Sequence, residues 1–164
     1  MGNRFYLDRK GCFDKGKKAE DIVSSYLSTE KGYQLTNVTN DKTYQDKDID
    51  FLLDYKNRTF GIEVKTDYKI HKTNRFLLEY DTYKDNKVWR GWMNKSQTDY
   101  LIWYSFELNT MFILDFTKLK EWADKQPKKR INNPFEKCQF DAVFIDINKC
   151  KELGILRETI ENVA

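Results

Sequence analysis

Asp50, Glu63 and Lys65 are the residues of this chain whose types and spacing could do chemistry together. They lie in the stretch Asp48 to Thr66, DIDFLLDYKNRTFGIEVKT, where apolar residues alternate with period two as Ile49, Phe51, Leu53 and then Phe60, Ile62, Val64. That is the pattern of two half-buried strands, with Lys56 and Asn57 as the turn between them. A two-residue turn makes Ile49 face Val64, Phe51 face Ile62 and Leu53 face Phe60, so every apolar partner matches. The same register sets Asp50 opposite Glu63 on the other face, with Lys65 beside Glu63 and opposite Asp48. A slip of one residue would break the apolar pairs and scatter the charged set together.

Two carboxylates directly opposite each other repel, by about 0.2–1 kcal/mol on an open sheet and by more where water is excluded. A divalent cation would relieve that repulsion. Mg²⁺, for which Mn²⁺ can substitute, takes one or two carboxylates and keeps waters and phosphate oxygens as its other ligands. Lys65 could then orient or deprotonate an attacking water, or stabilise charge building at phosphorus. The bland alternative is a solvated strand face, which suits Asp54 and Thr59 well.

Several elements must hold this hairpin. Ala19, Ile22, Val23, Tyr26 and Leu27 form one stripe of a helix over Lys15 to Glu30, stopped by Gly32. Tyr33 to Val38 is short and β-like, and a polar segment from Thr39 to Lys47 leads into the hairpin. After it come a basic loop, Lys69 to Asn74, a third meander strand at Arg75 to Tyr80, and a polar loop from Asp81 to Lys87. Asn94 to Thr98 reads as a helical turn, Tyr100 to Phe106 as a buried strand and Thr110 to Asp115 as its partner. Phe116 to Lys125 has helical spacing, and a basic loop with Pro127 and Pro134 follows. Ala142 to Ile147 reads as the last strand and Asn148 to Asn162 as helical segments. A helix, a three-stranded meander, then strand and helix make a mixed-sheet α/β or α+β layer, expected as a single domain over residues 1–164.

Composition narrows the class. Of 164 residues, 40% are hydrophobic and 34% charged, a globular balance. The net charge of +3, from 29 Lys and Arg against 26 Asp and Glu, gives only weak support for a polyanionic partner, so local clusters must carry that case. Lys15, Lys17 and Lys18 flank the helix, Lys69, Lys72 and Arg75 follow the hairpin, and Lys128, Lys129 and Arg130 form a third group. Trp89 and Trp92 could stack bases, although core packing is the commoner role of such a pair. Three cysteines, Cys12, Cys138 and Cys150, with a single histidine, His71, argue against a disulfide framework, a zinc site and a Cys–His nucleophile. Phe5, Tyr6 and Phe13 suggest an aromatic anchor near the N-terminus. No apolar run is long enough to span a membrane and no secretory signal core is visible, so a cytoplasmic location is expected.

Asp50, twelve intervening residues and Glu63-Val64-Lys65 together resemble the PD-(D/E)XK nuclease superfamily, the restriction-endonuclease-like fold that includes Holliday junction resolvases and many phage nucleases. Ile49 stands at the nominal proline, a position that is not a ligand. The resemblance, which spans roughly Lys15 to Phe106, implies Asp50 and Glu63 as metal ligands, the Val64 carbonyl as a further one, and Lys65 as the catalytic lysine. It also implies a helix glutamate at the site, matched by Glu20 in GKKAE; Lys17 and Lys18 beside it are expected as nucleic-acid contacts from their basic cluster. Lys95 or Gln97 stands where such proteins place a polar or basic residue. The implied activity is Mg²⁺-dependent endonuclease cleavage of DNA, on branched or structured substrates and by a homodimer. The competing class is a non-catalytic nucleic-acid-binding or inhibitor protein that keeps the fold, and a third is an interaction protein whose charged face is covered by a C-terminal helix.

Overall fold

The computed structural model describes residues 9–66, 69–133 and 137–164, with side chains from Asp14 onward. The aromatic anchor at Phe5, Tyr6 and Phe13, and the thiol of Cys12, lie outside the described residues. Helix α1 (Arg9–Thr29) begins earlier than its apolar stripe foretells. Its residues Ala19, Val23 and Leu27, four apart, are buried against a sheet.

That sheet begins with a meander, β1 (Gln34–Asn37), β2 (Phe51–Tyr55) and β3 (Arg58–Thr66), with a short helix α2 (Lys42–Gln45) between β1 and β2. The hairpin register is the expected one, Phe51 against Ile62 and Leu53 against Phe60. Lys56 and Asn57 take φ of 48° and 61°, the left-handed pair that a tight two-residue hairpin turn requires. The ladder stops at Phe51, however. Asp48 has φ 48°, and the Asp50 N–H bonds back to the Ile62 carbonyl at 2.8 Å, so Ile49–Val64 and Asp48–Lys65 do not form as strand pairs.

Arg75 to Tyr80 is not the third meander strand. β1 takes that place beside β2, and the other edge of β3 is taken in parallel by β6 (Tyr100–Ser105). A parallel pair needs a long crossover, and the chain between β3 and β6 supplies it as α3 (Ile70–Thr73), β4 (Arg75–Lys84), β5 (Lys87–Arg90) and α4 (Trp92–Lys95). The polar stretch Asp81 to Lys87 is therefore mostly a hairpin, closed by Asp85 and Asn86 with φ of 51° and 58°. After β6 come β7 (Thr110–Asp115), α5 (Phe116–Ala123), β8 (Lys129–Asn133), β9 (Cys138–Asp146), α6 (Ile147–Glu152) and β10 (Leu156–Glu161).

Two further expectations fail. The basic loop after α5 contains β8, which pairs with β9, and the tail expected to be helical ends in β10, which pairs with β7. Leu156 and Ile160 are four apart, a spacing that fits a helix turn and a strand face equally well. No C-terminal helix lies over the charged hairpin face; the tail joins the sheet edge instead.

The described strands form a six-stranded sheet, β1-β2-β3-β6-β7-β10, and a four-stranded sheet, β5-β4-β9-β8. Alternation divides the large sheet. Phe51, Ile62, Val64, Ile102, Tyr104 and Met111 meet α1, whereas Leu101, Trp103, Phe112 and Leu114 meet Phe76, Leu78, Tyr80, Val143 and Ile145 of the second sheet. Phe76 sits between Trp103 and Phe112, with ring centroids 4.9 and 5.6 Å away. Gly91 opens α4 directly over β4, where an added Cβ would stand 2.0 Å from the Tyr80 carbonyl oxygen. Backbone cannot yield there as a flexible side chain would. Gly91→Ala is expected to cost about 2–3 kcal/mol in urea unfolding; an unchanged midpoint would contradict this close approach.

Candidate active site

The hairpin and α4 build one charged cluster. Val64 is buried toward α1, so its neighbours Glu63 and Lys65 point to the opposite side, beside Leu101 and Trp103 of β6. Glu63 is only 4% exposed, and the Lys65 ammonium donates a hydrogen bond to its Oε1. The same Nζ stands 5.4 Å from the centroid of the Trp92 ring. Asp50, having left the ladder, turns its side chain so that Oδ2 accepts the Val64 N–H at 2.8 Å. Asp48 Oδ1 accepts from Lys95 Nζ at 2.7 Å, while its Oδ2 is buried with no hydrogen-bond partner.

Local structure explains how these arrive together. The Gln97 N–H donates to the Lys47 carbonyl at 2.9 Å, tying the residue after α4 to the segment that carries Asp48 and Asp50. The Asn94 amide donates to Asp81 Oδ1 at 2.8 Å, and Arg90 donates to the Asn94 carbonyl at 2.7 Å, fastening α4 to the β4–β5 hairpin. Glu20 enters from α1.

Crowded carboxyls in a dry place hold their protons. Burial, with the Asp50 charge, pushes Glu63 up to about 8 despite the neighbouring Lys65 ammonium. Glu20 rises to about 7 through burial and the Asp50 charge, with Lys17 and Lys65 acting against the rise. Burial also raises Asp50, partly offset by the Val64 N–H bond and by Lys65. Burial alone would lower Lys65, but Glu63, Asp48 and Asp50 more than offset it and hold the ammonium above its ordinary value. A lysine kept protonated is a charge donor and a hydrogen-bond donor rather than a base, which narrows the roles open to it.

The expected set is thus distributed as follows. Asp50, Glu63 and Lys65 converge, and Glu20 lies within electrostatic reach of Asp50 and Lys65. The contact that Val64 makes to this group is its N–H on Asp50. Lys17 and Lys18 are exposed on α1, and Lys18 lies 5.9 Å from the Phe106 ring centroid. Lys95 is in the cluster through Asp48; Gln97 is exposed and contributes its backbone. Among the described residues, no three Asp, Glu, His or Cys side chains are gathered as a ready metal site. Lys65 instead caps Glu63, its ammonium donating to Oε1. Cys150 is buried, which pushes its thiol up to about 12, an inert group.

Two participants stood at the margin of the sequence reading. Asp48, which the sequence offers either as a supporting carboxylate or as a strand flank, is a further carboxylate of the cluster. Trp92 packs in the core against Trp103 and also forms the wall beneath the Lys65 ammonium.

With helix α1 on one face of a mixed sheet and charged residues at the β2–β3 end, the chain has a mixed α/β fold. Its structure is similar to that of the bacterial homing endonuclease I-Ssp6803I, with a TM-score of 0.51 and 16% identity over 75% of this chain and 84% of that one. No protein-family model and no curated protein matches the sequence.

Proposed function

We propose that the chain is a metal-dependent endonuclease that hydrolyses phosphodiester bonds in DNA, a member of the PD-(D/E)XK superfamily. The observation that carries this is the convergence of Asp50, Glu63 and Lys65 at a break in the hairpin ladder. A solved structure with a similar fold is a homing endonuclease, which supports DNA as the substrate.

The residues present suit Mg²⁺ or Mn²⁺. The carboxyls of Glu20, Asp48, Asp50 and Glu63 outnumber the ammonium groups of Lys17, Lys65 and Lys95, and the buried Asp48 Oδ2 lacks a partner. Crowded hard oxygen donors, which a cation would strip of their protons, are what such an ion takes. Asp50 and Glu63, with Glu20 and the Val64 carbonyl beside them, would hold it; once bound it supplies positive charge to the phosphoryl oxygen and acidifies a water. Lys65, protonated and backed by the Trp92 ring, positions that water and donates to charge developing at phosphorus. Lys95 holds Asp48, and so the segment leading into Asp50, in place.

A branched or structured DNA cut by a homodimer is the finer form of this proposal. Incubation of the protein with supercoiled, single-stranded and four-way-junction DNA, with Mg²⁺ or Mn²⁺ against chelator, tests both levels. Metal-dependent cleavage with preference for the junction is expected; cleavage that survives chelation would overturn the metal role, and equal cutting of all three would overturn the branched preference. One observation favours a second reading, a non-catalytic DNA-binding protein: Lys65 already occupies Glu63 Oε1, and among the described residues no three Asp, Glu, His or Cys side chains are gathered as a ready metal site. Binding without cleavage of any substrate would select it.

A further inference from the structure

Two features of the β4–β5 ribbon stand at its surface. Trp89 is 60% exposed, although Trp92, three residues on, packs against Trp103 and Phe116. Lys84 and Lys87 face each other directly across the ribbon, and neither enters an ion pair among the described residues. Like charges opposite each other are destabilising unless an anion lies against them.

Pairing and alternation sort the ribbon into two faces. Thr82 pairs with Trp89 and Lys84 with Lys87, so these four share one face. Tyr83, Val88, Asp81 and Arg90 share the other. That second face is fastened down: the Tyr83 hydroxyl donates to Asp141 at 2.8 Å, and the Arg130 guanidinium lies 3.7 Å from the Tyr83 ring centroid while also holding Asp141. The first face presents an indole and two ammonium groups to solvent. Val88, at 62% exposed, belongs to the opposite face from Trp89, so the two do not form the continuous apolar patch that a protein partner would need.

We propose that the Thr82–Lys84–Lys87–Trp89 face is a DNA-contacting ribbon, with the two lysines on backbone phosphates and the Trp89 indole stacked on a base. It rests on the nuclease reading above and names how the substrate is held. Paired ammonium groups beside an exposed aromatic ring are the composition that tracks phosphates and stacks bases, and a two-stranded ribbon fits the major groove. The ribbon is continuous with the charged cluster. Arg90 follows Trp89 and donates to the Asn94 carbonyl, and α4 then places Lys95 on Asp48. From Arg90 to Lys87 is roughly 10 Å of extended strand, at about 3.3 Å per residue. DNA seated on the ribbon therefore bears on the helix that walls the cluster.

The test measures binding of full-length protein, in chelator, to labelled duplex, single-stranded and four-way-junction DNA over a salt series, with Mg²⁺-dependent cleavage measured in parallel. The variants are Lys84→Ala with Lys87→Ala, Trp89→Ala, Trp89→Phe, and Lys151→Ala as a charge control on α6, which follows the far end of β9. The double lysine variant is expected to lower the slope of log affinity against log salt by about 1.4–1.8, from 0.7–0.9 per phosphate released. Trp89→Ala is expected to weaken the tightest complex roughly 5- to 100-fold and Trp89→Phe to restore most of it. Unchanged thermal unfolding of all four variants separates lost contacts from lost folding. Ribbon variants that bind like Lys151→Ala, while cleavage persists, would overturn the ribbon and leave the nuclease proposal standing; wild-type protein that binds none of the three DNAs would overturn both.

Discussion

Asp50→Asn is expected to reduce DNA cleavage by about 10³-fold or more while leaving DNA affinity within a few-fold of wild type. The substitution removes one negative charge and little else. Asn keeps a carbonyl oxygen able to accept the Val64 N–H, the contact that holds this side chain across the broken ladder. Burial already disfavours the ionised form of Asp50, so its neutral replacement should fold at least as well. A thousandfold corresponds to about 4 kcal/mol, at about 1.36 kcal/mol per factor of ten, which is within what a cation at a transferring phosphoryl group contributes. Cleavage within tenfold of wild type would remove Asp50 from the chemistry.

Glu63→Gln should move activity and stability in opposite directions. Cleavage falls by a similar factor, because the second carboxylate is gone. Stability without divalent cation rises at alkaline pH. The sign follows from the raised value of about 8 in the folded protein against an ordinary 4.5. Below about pH 4.5 the carboxyl is protonated in both states and its contribution to stability is complete. Between 4.5 and 8 the unfolded chain ionises freely while folded Glu63 keeps its proton, so stability is lost as pH rises, and the loss levels off above 8. Gln carries no such burden and still accepts from Lys65. The raised value already includes the relief that Lys65 gives, so a gain of several kcal/mol at pH 8, shrinking toward zero near pH 4, is expected from paired urea titrations. Glu20 adds a smaller loss in the same direction, ending nearer pH 7. A variant less stable than wild type at pH 8 would mean that the Glu63–Lys65 pair is net stabilising as an ion pair.

The same residues explain what could and could not be read from sequence. Period-two alternation with one tight turn is local and redundant, so Phe51–Ile62 and Leu53–Phe60 were legible, and Asp50, Glu63 and Lys65 with them. What sequence could not carry was the end of the ladder. The left-handed Asp48 closes a local turn in which the Ile49 N–H bonds to the Tyr44 carbonyl, but the bonding of its carboxylate to Lys95 depends on α4, which is distant in sequence and placed by Gly91 against Tyr80. Assignment of Arg75 to Tyr80 failed for a related reason: its alternation reveals a strand, but which sheet it joins depends on β6 having taken the edge of β3. Leu156 to Glu161 failed because six residues with apolar positions four apart satisfy both periods.

The most direct measurement is single-turnover cleavage by wild type and Lys65→Ala, with Mg²⁺ present and DNA affinity measured on the same preparations. Lys65 makes its bond to Glu63 from the face beside Trp103 and keeps its proton, so it should matter to the rate and hardly to binding. A rate reduced by about 10²-fold or more, with affinity within a few-fold of wild type, is the expected result. Equal single-turnover rates for the two proteins would contradict the assignment of this cluster as a catalytic centre.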